Sequence, residues 1–415
     1  KTSGFTAVAG EGYFVNTTGG AVSVNLPAGT AGAVVAFKDY ANTFDTNNLT
    51  LVQNGSDKIG GSAINATIAT EGIAITLIFI DSTQGWLVTD DGTQSVAVTN
   101  PYIVATGGTI TNSGDFKIHT FTGPGTFCVS KAATSAPNNI VDYVVVSGGG
   151  ASGATAGNSS GGGGGGGFRF YANTSNNPQT CAPAAPINNF PSGTAITATV
   201  ASFPIAVGAG GTSPYPSSNP AGAGTNSVFS TITSAGGGGG GMAAGGGAGG
   251  NAGGSGGGGT GGALNEAGGA GNTPPVSPAQ GNSGGGTATS GDDGPAGGGG
   301  GAMAGGGSSN VNGSGAGGAG GGVKGFGGSG EVSSCVSYFS GGGGGGSNTP
   351  GPAGPYGKPG GLGGGGNAGT TSNSAGQAGT TNTGGGGGGY SATPSGVGGS
   401  AGGSGIVIIR YKFQN

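Results

Sequence analysis

Charge is scarce in this sequence. Only 6% of its 415 residues are Asp, Glu, Lys or Arg, and the net charge is −4. That balance leaves no basic footprint for nucleic acid. Disordered chains are ordinarily charged and poor in aromatics. This one has 16 Phe and 10 Tyr, so electrostatic repulsion does not hold it open and it is expected to fold or associate. Histidine occurs once, as His119. A single imidazole does not assemble a zinc site or a catalytic triad in the usual way, and His119 sits in the alternating "FKIHTF" as a strand residue. No stretch approaches 18 apolar residues, so no transmembrane helix and no membrane insertion is expected. No helical periodicity of useful length occurs. The phosphate-loop pattern GxxxxGK[ST] does not occur. Asp90–Asp91 and Asp292–Asp293 are adjacent carboxylates. A glycosidase pair flanks a bond from two sides, whereas neighbours in a loop face solvent or bind Ca²⁺. The chain is therefore read as a non-enzyme with no catalytic or metal site and no cofactor.

Cysteine is almost absent too. Three residues, Cys128, Cys181 and Cys335, do not form a fully paired framework. Cys181 and Cys335 lie in loop segments and would bridge only if they are neighbours. Cys128, in a strand, is expected as a buried free thiol. The chain starts at Lys1 without a signal-peptide pattern, as expected of a fragment or a processed product.

Glycine is what the sequence has in excess. It supplies 113 residues, of which 18 lie in 1–147 and the other 95 between Gly148 and Gly405. The boundary is sharp, so two regions of different physics meet near Ser147.

The first region reads as all-β. "AVSVNLPAG" (21–29), "AGAVVAFKDY" (31–40), "NNLTLVQNG" (47–55), "GIAITLIFID" (72–81) and "QGWLVTDDG" (84–92) are strand candidates separated by turn residues. Residues 1–94 are expected to form a small β-sandwich or barrel-like module, with Trp86 in its core. Residues 95–147 hold three further strand candidates. "VDYVVVS" is a nearly continuous apolar run, suited to a strand buried on both faces. "SGIVIIRYKFQ" (404–414) has the same character. These two runs flank the glycine region and are expected side by side in one sheet. Residues 95–147 with 404–415 then form a β base, and 148–403 is one long excursion from it.

A glycine run makes a poor α-helix and a poor conventional strand. Without side chains it is suited to something else. Extended helices with three residues per turn pack backbone against backbone, rising about 3.1 Å per residue, so Gly161–Gly167 would span roughly 22 Å. Each N–H and C=O then reaches a neighbouring helix, which satisfies the backbone's polar groups. There is no sustained Gly-X-Y period, which excludes collagen. Ten runs recur, from Gly161–Gly167 to Gly384–Gly389, and suit a polyglycine-II bundle. Essentially no α-helix is expected.

The segments between runs carry most of the region's Phe, Tyr, Pro and Asn. Loops on a rigid scaffold are common recognition sites. The receptor-binding candidates are the aromatics Phe168, Phe170, Tyr171, Phe190, Tyr215, Tyr338, Phe339, Tyr356 and Tyr390, taken as exposed, with Arg169, Lys324 and Lys358. Aromatic faces stack on sugars, and Tyr offers large contact area at low entropy cost. The competing reading is that these rings only cap a bundle that has no apolar core of its own.

The order "YIVATGGTITNSGDFKIHTFTGPGTF…VDYVVVSGGG…GGGGGG…GSGIVIIRYKF" resembles the glycine-rich domain of bacteriophage tail fibres and related virion proteins. The glycine runs are similar to those of the polyglycine-sandwich tip adhesins of T-even-like phages. Residues 13–90 look like a β module common in marine phage fibre proteins. In those tip adhesins the bundle is a separate, smaller chain, whereas here β modules precede it. The resemblance implies an extracellular virion position, a tail fibre or other surface appendage. It implies binding to a bacterial cell-surface receptor (a glycan or an outer-membrane protein) through the inter-run loops, attachment to other fibre or baseplate proteins, and a homotrimer through the N-terminal module. The alternative function is a structural surface filament, or an ice- or matrix-binding protein, which would present one flat repetitive face. Irregular loop lengths favour the adhesin.

Overall fold

A computed structural model of the chain describes residues 1–93, 102–154, 159–173, 193–213, 221–242, 249–261, 265–287, 294–310, 313–333, 336–347, 357–371, 374–391 and 399–414. These residues are strands, turns and extended backbone, with one short 3-10 turn at Ala136–Asn139 and no α-helix among them. The chain divides into two compact units, Lys1–Asn100 and Pro101–Asn415.

The first unit is a two-sheet sandwich without barrel closure. One sheet orders the strands Phe5–Thr6, Val22–Asn25, Leu49–Val52 and Ala66–Ile68. The other orders Gly12–Val15, Val34–Asp39, Ile73–Phe79 and Trp86–Thr93. Through its first five strands the chain alternates between the sheets, so neighbours within each sheet run parallel there. The remaining pairs are antiparallel. Alternating sequence places every second side chain inward. Val22, Val24, Leu49, Leu51, Val35, Phe37, Ile75 and Leu77 make the core, closed by Phe44 and by Trp86, whose ring meets Phe79 edge-on at 5.6 Å.

The second unit joins β base and glycine region into one body. Its main sheet orders Thr109–Ser113, Phe116–Phe121, Ile406–Lys412, Ile140–Val146 and Phe168–Tyr171, with Ile196–Thr197 pairing to Ile140–Val141 beside the last. The two apolar runs that flank the glycine region do lie side by side, antiparallel, from Asp142↔Arg410 to Val146↔Ile406. Their alternate faces feed two cores. Val141, Tyr143, Val145, Val407, Ile409 and Tyr411 face a five-stranded sheet through Phe127, Ile205 and Phe229. Val144, Val146, Ile406 and Ile408 face Phe168, Phe170, Val323, Phe326 and Phe339. Val323 and Phe339 belong to a small third sheet made of Gly321–Val323, Val336–Phe339 and Glu331–Ser333.

The excursion is thus not all lattice. Ala201–Ala206, Ser227–Phe229 and Ile232–Ser234 return to the sheets, because "ITATVASFPIAV" and "SVFSTITS" carry enough β-branched and aromatic side chains to pack.

The glycine runs form a polyglycine-II lattice, seen most fully around Gly161–Gly167. Its donors rotate with a period of three. Gly161, Gly164 and Gly167 donate to Gly241, Gly238 and Ala235; Gly162 and Gly165 to Gly297 and Gly300; Gly163 and Gly166 to Gly387 and Gly384. Its carbonyls rotate likewise. Gly153, Gly150 and Ser147 donate to Gly161, Gly164 and Gly167; Gly258 and Ser255 to Gly162 and Gly165; Gly343 to Gly163, with the Ser340 hydroxyl on Gly166. The run therefore has six neighbours, three that accept from it and three that donate to it, and every one of its backbone polar groups is paired. Glycine is required by the spacing: a Cβ on Gly162 would lie 2.2 Å from the Gly343 carbonyl oxygen, and one on Gly163 would lie 2.1 Å from that of Gly150.

Candidate functional site

The central glycine run ends directly in the strand Phe168–Tyr171, which pairs with Tyr143–Val146. Strand alternation then sorts the four side chains. Phe168 and Phe170 turn to the core shared with Phe326 and Phe339. Arg169 lies opposite Val145, and Tyr171 opposite Tyr143, on the other face. The Tyr143 and Tyr171 rings stack at 6.0 Å. The Tyr143 hydroxyl donates to the Thr194 carbonyl at 2.8 Å. Burial pushes this phenol up to about 12, and the Arg169 charge nearby pulls it partly back. Burial also raises Tyr171, with Asp142 adding to the effect.

A second polar cluster crosses the same sheet. Arg410 donates from Nη2 and Nε to Asp142 Oδ2 at 2.7 and 3.2 Å, and from Nη1 to the Gly325 carbonyl at 2.8 Å. Its guanidinium is sandwiched by the Phe326 and Phe116 rings at 4.3 and 4.9 Å. Asp142 Oδ1 accepts the Asn173 backbone N–H at 2.8 Å. Burial lowers the Arg410 pKa, and Asp142 opposes that shift. The pair links the closing strand to the base. Nothing in the sequence joined Asp142 to Arg410 except the strand register, which sequence spacing did not supply.

The recognition candidates separate into three groups. Phe168, Phe170, Phe339 and Tyr390 are buried, as is Lys324; this corrects their reading as exposed rings and an exposed cation. The reason is that a side-chain-free lattice cannot seal its own junction with the sheet, so the Phe rings at the run ends fill that junction. Tyr390 is held differently, its backbone paired with Ser160 inside the lattice. Arg169 is also largely buried, with 8% of its surface exposed. Tyr171, Tyr338 and Lys358 keep partial exposure. Phe190, Tyr215, Tyr356, Cys181 and Cys335 lie outside the described residues, as do Asp292 and Asp293.

His119 is fully buried. Its Nδ1 faces the Gly107 carbonyl at 2.7 Å and its Nε2 the Tyr411 hydroxyl at 3.1 Å. A carbonyl only accepts, so Nδ1 carries the proton and Tyr411 donates to Nε2. Burial lowers the His119 pKa and raises that of Tyr411 to about 12. Both ring nitrogens are thus engaged within the fold. Cys128 is a free thiol, half-buried rather than buried, and accepts from Ser202 Oγ at 3.6 Å. Among the described residues no group of three or more His, Cys, Asp or Glu could hold a metal, and no helix is long and apolar enough to cross a membrane. The first unit contains a cavity of about 300 Å³, lined by apolar side chains including Leu51, Ile68, Ile75, Leu77 and Val88, with Asp91 beside them. Strand spacing alone did not reveal it, because its walls come from both sheets.

These features define an all-β protein in which a polyglycine-II lattice is seated on a β base. Residues 120–412 match the model of the glycine-rich domain family, and the chain belongs to that family. No curated protein matches the sequence significantly.

Proposed function

We propose that this chain is a non-enzymatic virion fibre protein, the distal adhesin of a bacteriophage tail fibre or related appendage. It recognises a bacterial surface glycan or outer-membrane protein through the aromatic and polar segments between glycine runs. Its other partners are fibre or baseplate proteins, and the first unit carries a homotrimer contact.

The observation that carries the reading is how the ends of these segments are held. Segment 174–192 runs between Phe168–Tyr171 and Ile196–Thr197, and both of these strands are hydrogen-bonded to Ile140–Val146. Segment 392–398 likewise runs between Ser391 and Gly399, whose backbone N–H groups donate to the Ser374 and Ser213 carbonyls. A rigid scaffold bearing chemically varied connections is a common arrangement for recognition. Membership of the glycine-rich domain family and the resemblance to tail-fibre proteins support the same reading. Several copies on one particle would amplify weak single-site binding.

The test is binding of the labelled, purified chain to intact bacteria, beside a version lacking 174–192. Saturable binding to a subset of strains, lost in the shortened chain, is expected. No binding to any strain by a chain with an intact β spectrum would favour a structural filament.

A further inference from the structure

The chain has two arginines, Arg169 and Arg410, and the fold treats them oppositely. Both belong to the main sheet of the second unit. Arg410 is 3% exposed and fully provided for, by Asp142, the Gly325 carbonyl and two aromatic rings. Arg169 is 8% exposed, yet among the described residues no hydrogen bond, carboxylate or ring contact to it is found. Its nitrogens are also not among the partnerless atoms sealed from solvent, so the guanidinium edge reaches water. Burying most of a cation is costly unless an anion meets it. The sequence places no Asp or Glu between Asp142 and Glu266, and Asp142 is already committed to Arg410.

A second free donor sits two residues away. Tyr171 shares the strand face with Arg169. Its ring is fixed by stacking on Tyr143, and its hydroxyl has no hydrogen-bond partner among the described residues. Residues two apart on a strand lie about 6.6 Å from each other, close enough for a guanidinium fork and a phenol to converge on one small anion. The neighbouring phenol, Tyr143, is satisfied internally by Thr194 and serves as the platform beneath Tyr171.

We propose that Arg169 and Tyr171 form an oxyanion site that takes the carboxylate or phosphate of an acidic surface glycan. The planar fork matches either group with two parallel N–H donors. The phenol donates a third bond and offers its ring to the sugar. This names the receptor class and rests on the adhesin reading.

The experiment is calorimetric titration of the full chain with a galacturonic acid trimer, its methyl ester and glucose 1-phosphate, at low and high salt. At least one anionic probe is expected to bind, more weakly at high salt, and the neutral ester at least about tenfold more weakly. Arg169→Gln should lose about tenfold or more, and Arg169→Lys, which keeps the charge and the fold but lacks the fork, should lose a smaller factor. Tyr171→Phe should lose a few-fold. Binding of the ester as tight as the acid, binding unchanged in Arg169→Gln, or no anion binding at all would overturn the site. The same variants applied to cells separate the two readings. An Arg169→Gln chain that adheres normally sinks the oxyanion site and leaves the adhesin. Arg169-dependent anion binding by a chain that adheres to no strain sinks the adhesin and leaves the site.

Discussion

Gly163 has a lattice run beside it on every side, so its missing side chain is a requirement of packing. A methyl there would meet the Gly150 carbonyl at 2.1 Å, whereas one on Gly19 would meet nothing within 4 Å. Gly163→Ala should destabilise the second unit by about 1–3 kcal/mol or more, since the clash is with backbone that cannot rotate away. Gly19→Ala should be near neutral, and paired thermal unfolding curves check both. The buried titratable groups set a pH window at the same scale. His119 has a folded-state pKa below its ordinary 6.5, so the unfolded chain binds the extra proton first. Its contribution is intact above pH 6.5 and falls as pH drops from there toward the lowered folded value. Tyr143 and Tyr411, at about 12 against an ordinary 10, act at the other end. The unfolded chain releases their protons first, so stability falls as pH rises from 10 toward 12. Urea midpoints across pH should show both flanks, and His119→Gln should flatten only the acidic one.

Among the elements, Ile406–Lys412 carries the most consequence per residue. It lies between Phe116–Phe121 and Ile140–Val146 and feeds both cores of the second unit. Ile408→Ala should cost about 2–5 kcal/mol, as for a fully buried aliphatic. Deleting 404–415 removes a central strand and its share of both cores, and should leave the second unit open to protease while residues 1–93 stay resistant. The two flanking runs were legible as partners because "VDYVVVS" and "GIVIIRY" are apolar at successive positions, which only a strand covered on both faces tolerates. The third sheet was not legible. Its strands are three or four residues long, and one is mostly glycine, so it depends on the core already present beneath it.

At the scale of the whole molecule, two stabilising strategies share one chain. The first unit buries side chains: its core draws on residues 7–86 alone. Residues 1–93 expressed alone should therefore fold, with blue-shifted Trp86 emission and a cooperative unfolding transition; water-like emission would show that the unit needs the rest of the chain. The second unit adds a lattice held mainly by backbone hydrogen bonds, whose glycines forgo side-chain burial and bear a high entropy cost. The β base compensates by supplying the apolar cores on which the lattice is seated.

Composition and pattern determined the class of this protein. Scarce charge, absent helical periodicity, alternating strands and clustered glycine runs each follow from local chemistry, and local chemistry is written along the chain. They were enough for an all-β protein with a polyglycine-II bundle closed by its last strand. Which run neighbours which, and which rings are covered, depended on tertiary structure. Glycine runs are chemically identical, so no sequence distinguishes the six neighbours of Gly161–Gly167. Phe168, Phe170, Phe339 and Tyr390 read as loop aromatics until folding turned them inward. For the two arginines the outcome rested on register alone: it set Arg410 opposite Asp142 and set Arg169 opposite a valine.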